Sequence, residues 1–144
     1  MQNFSFLNPT KIEFGKDKEQ NIGKYMKEFG VKKTLIIYGS DRIMQNGLFD
    51  IATKSLSANG IEFCKIGGVK SNPVLSKVNE AINLAKKQGV DSVLAIGGGS
   101  VLDTAKAVAA GVKYNGDVWD FFTGKCPKEA LMIFDIITLA ATGS

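Results

Sequence analysis

The chain has 144 residues, a net charge of +4, 44% hydrophobic and 22% charged residues, a composition that fits one globular domain and excludes disorder. It contains no histidine, so imidazole serves neither as an acid–base group nor as a metal ligand within it. Its lysines are scattered rather than gathered into a run, which argues against a nucleic-acid partner, and its two cysteines, Cys64 and Cys126, are too few for a disulfide framework and lack metal-ligand spacing.

The opening Met1-Gln2-Asn3-Phe4 lacks the basic-then-apolar pattern of a secretory leader, and no apolar stretch is long enough to cross a bilayer; a cytoplasmic protein with no membrane partner is expected. Phe4-Ser5-Phe6 and Lys11-Ile12-Glu13-Phe14 flank Asn8-Pro9-Thr10, which predicts an N-terminal β-hairpin. Ile22, Tyr25, Met26 and Phe29 follow at helical spacing, with Gly30 as the stop. Thr34 to Tyr38 is a short apolar, β-branched run, the pattern of a strand buried on both faces. Leu48, Ile51, Ala52, Ser55 and Leu56 predict a second helix, ended by Gly60, and Ile61 to Ile66 alternates like a strand nearer an edge. Asn72 reads as an N-cap and Pro73 as the first residue of a helix carrying Leu75, Val78, Ala81, Ile82 and Ala85 to Gly89. Ser92 to Ile96 is a buried strand, Val101 to Val112 a helix, and Met132 to Ile137 the last strand.

Three helices each end at a glycine followed by a β-branched residue: Gly30-Val31, Gly60-Ile61 and Gly89-Val90. Such repeated units imply parallel strands joined by right-handed helical crossovers, hence an α/β, Rossmann-like parallel sheet with helices on both faces and an N-terminal β-hairpin.

Gly97-Gly98-Gly99 directly follows one buried strand and directly opens a helix. Glycines there free the backbone and clear side chains from a ligand's path, while the first N–H groups of the helix face an anion. Ser100 reads as the N-cap, and Asp103, three residues on, completes a Ser-x-x-Asp capping box. Lys106 either balances the charge of Asp103 or is simply solvated. Leu102 stands where the dinucleotide fingerprint has its third glycine, and by spacing the ribose-binding acid would be Asp117 or Asp120, both inside a Val118-Trp119-Phe121-Phe122 segment that reads as a short packed helix. Spacing alone therefore supports a phosphate-binding α/β domain and leaves the ligand open.

The run from Gly97 to Lys106, the Asn8-Pro9-Thr10 to Phe14-Gly15 segment, Asn46-Gly47-Leu48, Ser71-Asn72-Pro73 and the closing Ala141-Thr142-Gly143-Ser144 together resemble the iron-containing (group III) alcohol dehydrogenases of the butanol dehydrogenase type, in order and over the whole chain. The resemblance implies a dehydroquinate synthase-like N-terminal domain, here residues 1–144, that binds NAD(P), followed by a helical domain with iron or zinc in the cleft between them. By position Gly97, Gly98, Gly99 and Ser100 match the pyrophosphate turn, with Asp103 organising it. Asn72 matches a polar residue near the nicotinamide, and Thr138, Leu139 and Thr142 match the segment opposite the glycine turn. The loop Gly39-Ser40-Asp41-Arg42 matches the reader of the adenosine ribose, which displaces Asp117 and Asp120. Asp41 would hold a ribose diol and repel a 2′-phosphate, whereas Ser40 and Arg42 would accept one; Ser40 falls at the discriminating position, which tips the expectation to NADP over NAD.

The family's metal ligands follow the Thr-Gly-Ser segment, so this chain alone is expected to hold no metal and no catalytic residue and to be inactive; in the complete enzyme a small alcohol or aldehyde would be the substrate. A glycerol dehydrogenase-like relative or a stand-alone nucleotide-binding or regulatory module is the alternative. An apolar face could drive association, so a homodimer stays open.

Overall fold

The computed structural model describes residues 3–139. Four strands, β1 (Lys33–Tyr38), β2 (Glu62–Ile66), β3 (Ser92–Gly97) and β4 (Met132–Ile137), form one sheet in the order β2-β1-β3-β4, and every pairing is parallel. Helices α1 (Ile22–Glu28), α2 (Arg42–Gln45), α3 (Leu48–Ala58), α4 (Leu75–Gln88) and α5 (Gly99–Val112) make the connections, with 3₁₀ turns at Lys18–Asn21 and Val118–Phe122. β2 lies at an edge, in keeping with its alternation.

The unbroken apolar runs of β1 and β3 follow from burial on two faces. Leu35, Ile37, Val93 and Ala95 pack with Val78, Ala81, Ile82 and Ala85 of α4 and with Ala105 and Val108 of α5. The intervening Ile36, Tyr38, Leu94 and Ile96 pack with Met26 of α1 and Ala52 and Leu56 of α3. Each large side chain taken out of water here is worth about 1.5–3 kcal/mol. The register of β1 on β3 is pinned at the amino edge by Asp91, whose carboxylate accepts the backbone N–H of Lys32 at 2.8 Å and of Lys33 at 3.3 Å. Gly30, Gly60 and Gly89, the three helix stops, all have left-handed backbone, with φ of +79°, +72° and +61°.

Three local expectations are corrected. Residues 3–14 form no strand ladder: Phe4, Phe6, Leu7, Ile12 and Phe14 are exposed, and two short strands with nothing packed beneath them do not hold a hairpin. Instead Asn8 accepts the Thr10 N–H at 3.1 Å in a local turn, and Lys11 ties the segment to Glu28 of α1 at 3.1 Å. Asn72 is not a helix cap, because its backbone is left-handed (φ +59°) and turns the loop; Val74, extended, takes the cap position and its carbonyl accepts from Lys77 at 3.1 Å. α5 starts at Gly99 rather than Val101, so Ser100 lies inside the first turn, the N-cap is Gly98 with no side-chain bond, and the Ser100–Asp103 capping box does not form.

Candidate nucleotide-binding site

In this strand order the chain leaves β1 toward β2 on one side and returns through β3 on the other. The carboxyl ends of β1 and β3 are therefore the switch point of the sheet, where helices on opposite faces leave a crevice. The Gly39–Arg42 loop leaves one of these strands and the Gly97–Ser100 turn leaves the other. The loop after β2 folds onto the same edge: Gly68 donates its N–H to the Gly39 carbonyl at 2.7 Å, and Val69 to the Tyr38 carbonyl at 3.3 Å.

The glycines of the turn do different jobs. A Cβ on Gly97 would stand 2.5 Å from Val101 Cγ2, so this glycine lets α5 close onto β3. A Cβ on Gly39 would stand 3.7 Å from the same methyl, so Val101 fills the wedge between the two loops. Among the described residues Gly98 faces space: a Cβ there would meet only Leu139 Cβ, at 3.9 Å. The Gly98 carbonyl caps the helix, accepting from Val101 at 2.9 Å and Leu102 at 3.2 Å. The N–H groups of Gly99 and Ser100 precede any helical acceptor and carry the positive end of a 14-residue helix.

Thr138 donates its N–H to the Gly97 carbonyl at 2.9 Å, which brings Thr138 and Leu139 against the turn. Thr142 lies outside the described residues. Asp103 is exposed and stands 3.6 Å from Lys106, which decides the open reading of that lysine in favour of an ion pair; at this exposure the pair adds little stability. The carboxyl of Asp135, on β4, is pushed up to about 6, chiefly by burial, with the Lys106 ammonium opposing.

Ser40 and Asp41 are exposed. Asp41 caps α2 with its backbone, its carbonyl accepting from Met44 at 3.0 Å, while its carboxylate makes no cap bond. It is close enough to Tyr38 to raise that phenol's pKa, after the larger effect of burial. Asn72 stands in the loop after β2 at the same edge, but among the described residues no hydrogen bond ties it to the glycine turn. Asp117 and Asp120 are committed elsewhere. Asp117 accepts the Trp119 N–H at 2.9 Å, and Asp120 accepts the Tyr114 hydroxyl at 2.6 Å. The sequence reading missed Val101, because an apolar residue on a helix face signals only core. Among the described residues no group of three or more His, Cys, Asp or Glu side chains could hold a metal ion.

These features define a doubly wound α/β domain with a helix N-terminus aimed into its switch-point crevice. The chain belongs to the iron-containing alcohol dehydrogenase family, whose model matches residues 9–144. It is 46% identical to the probable NADH-dependent butanol dehydrogenase 2 of Bacillus subtilis, covering 100% of this chain and 37% of that protein. With the NADH-dependent butanol dehydrogenase B of Clostridium acetobutylicum the identity is 43%, again over 100% of this chain and 37% of that protein. The crystal structure of NADH-dependent butanol dehydrogenase A from Thermotoga maritima superposes with a TM-score of 0.94 at 51% identity, covering 99% of this chain and 36% of that one. The chain thus spans a little over a third of the length of these relatives.

Proposed function

We propose that residues 1–144 are the NAD(P)-binding portion of a metal-dependent alcohol dehydrogenase that interconverts small primary alcohols and aldehydes by hydride transfer. The observation that carries this reading is the Gly97–Ser100 turn at the switch point, with, among the described residues, open space before Gly98 and uncommitted N–H groups on Gly99 and Ser100. A diphosphate fits there: it accepts from those N–H groups and gains from the helix dipole. Thr138 and Leu139 line the crevice from the β4 side, Ser40 and Asp41 address the adenosine ribose, and Asn72 stands toward the nicotinamide. The bound nicotinamide supplies the hydride donor or acceptor.

The ribose loop selects the form of the cofactor. The exposed Asp41 carboxylate, free of a capping role, suits a ribose diol and repels a 2′-phosphate, and the three relatives named above are NADH-dependent by name. We therefore take NAD(H) as the preferred cofactor. Ser40 and Arg42 support NADP(H) as the second reading. The described residues fit no metal, so no step is assigned to one; the 144-residue chain is proposed to bind cofactor without turning over alcohol.

Titrating the isolated chain with NADH and NADPH, read by nicotinamide fluorescence, tests both points. Binding of NADH ahead of NADPH supports the proposal. If neither binds at millimolar concentration while another nucleotide does, the dehydrogenase reading fails.

A further inference from the structure

The opposite, amino edge of the sheet carries a second cavity. It has a volume of about 390 Å³ and lies between the end of α5 and the segment 125–129, walled by Lys113, Tyr114, Lys125, Cys126, Lys128 and Glu129. Tyr114 is its fixed point. The ring packs on Phe121 with centroids 4.8 Å apart, and the hydroxyl donates to Asp120 at 2.6 Å. Lys125 binds the same hydroxyl and lies 4.6 Å from the ring centroid, while Lys86 donates to the Tyr114 carbonyl at 3.1 Å. Three lysines, Lys113, Lys125 and Lys128, thus line the cleft against one carboxylate, Glu129, while Lys86 and Asp120 hold Tyr114 from outside the lining. Lys113 and Lys128 form none of the ion pairs found among the described residues. A concave surface with surplus charge of one sign concentrates the opposite charge, and most strongly when the counter-ion is multivalent.

We propose that this cleft is a binding site for a phosphate-type polyvalent anion, held by Lys113 and Lys128 over the Tyr114 wall and separate from the nucleotide crevice. A mono- or diphosphate group meets the need of several convergent ammoniums at once, whereas a monocarboxylate answers only one of them. The site does not depend on the nucleotide reading, since none of its residues belongs to the carboxyl edge.

Cys126 supplies the readout, being exposed in the lining, while Cys64 is partly buried and its thiol is pushed up by burial. Alkylation by neutral iodoacetamide, followed residue by residue by mass spectrometry, is measured with and without inorganic pyrophosphate. We expect saturable protection of Cys126, about fivefold at a concentration about four times Kd, and an unchanged rate at Cys64. Protection should be lost in the double variant Lys113→Gln, Lys128→Gln, whose fold is checked by the Cys64 rate and circular dichroism. Sodium chloride at matched ionic strength should give none. Absence of protection, equal protection by chloride, or protection that survives in a folded double variant overturns the proposal.

Discussion

The backbone N–H of Thr138 donates to the carbonyl of Gly97 at 2.9 Å, continuing the β3–β4 ladder one step past β4 into the glycine turn. The two segments that would face each other across a cofactor are therefore parts of one hydrogen-bonded unit. The geometry of the turn is set by strand pairing rather than by a flexible loop, which favours binding by keeping the ordering cost low.

That relationship separates the roles of adjacent glycines. Gly97→Ala places a Cβ 2.5 Å from a Val101 methyl, so α5 must shift from β3; a loss of about 1–3 kcal/mol is expected in urea unfolding. Among the described residues Gly98→Ala meets only Leu139, at 3.9 Å, and should leave the unfolding midpoint nearly unchanged while weakening NADH binding. Equal effects of the two variants on both measurements would remove the distinction.

Much of this was legible in the sequence. Periods in hydrophobicity located four strands and four of the helices, because strands buried on two faces and helices with one apolar stripe write distinct patterns. The Gly97–Gly99 turn was legible too, since its neighbours are unambiguous. What failed was set by tertiary context. Phe4, Phe6, Ile12 and Phe14 alternate like strand residues, yet nothing among the described residues covers them. Asn72 has the chemistry of a helix cap as well as a tolerance for left-handed backbone, and only the path of the loop decides between them. Ser100 sits one residue inside α5 because a glycine carbonyl can begin a helix without a side-chain cap.

The Gly39–Arg42 loop, proposed to face the adenosine ribose, yields a selectivity test. Removing the carboxylate in Asp41→Ser should weaken NADH binding and strengthen NADPH binding, changing their affinity ratio by about tenfold, or about 1.4 kcal/mol. The structural part played by Asp41 is its backbone cap on α2, which the substitution keeps, so the melting temperature should hardly move. An unchanged ratio in the folded variant would place ribose recognition elsewhere.

At the far edge of the sheet, Asp91 accepts two backbone N–H groups that begin β1. Asp91→Ala leaves both donors to water and frees the β1–β3 register at that end. A destabilisation of about 1–2 kcal/mol is expected from a charge-assisted pair at an exposed site. Urea unfolding measures it, and cofactor affinity, proposed to rest on the carboxyl edge, should stay within experimental error.

Asp135 makes stability depend on pH in the direction opposite to most carboxylates. It shares a face with Ala95 beneath α5, its Oδ1 has no hydrogen-bond partner among the described residues, and its carboxyl is raised from 3.8 to about 6, first by burial and with Lys106 opposing. The unfolded chain releases this proton near its ordinary value while the folded chain still holds it. The group's contribution to stability is thus fully present below about pH 4 and is lost as pH rises through about 6. Asp135→Asn keeps the shape without the charge. Its melting temperature should exceed that of the parent chain at pH 7.5, and the gap should close toward pH 4. Lys106→Met withdraws the ammonium that opposes the shift. It should lower the parent's melting temperature at pH 7.5, and lower it less when combined with Asp135→Asn. A melting-temperature difference between parent and Asp135→Asn that is constant from pH 4 to pH 8 would show that burial of the Asp135 carboxylate carries no penalty.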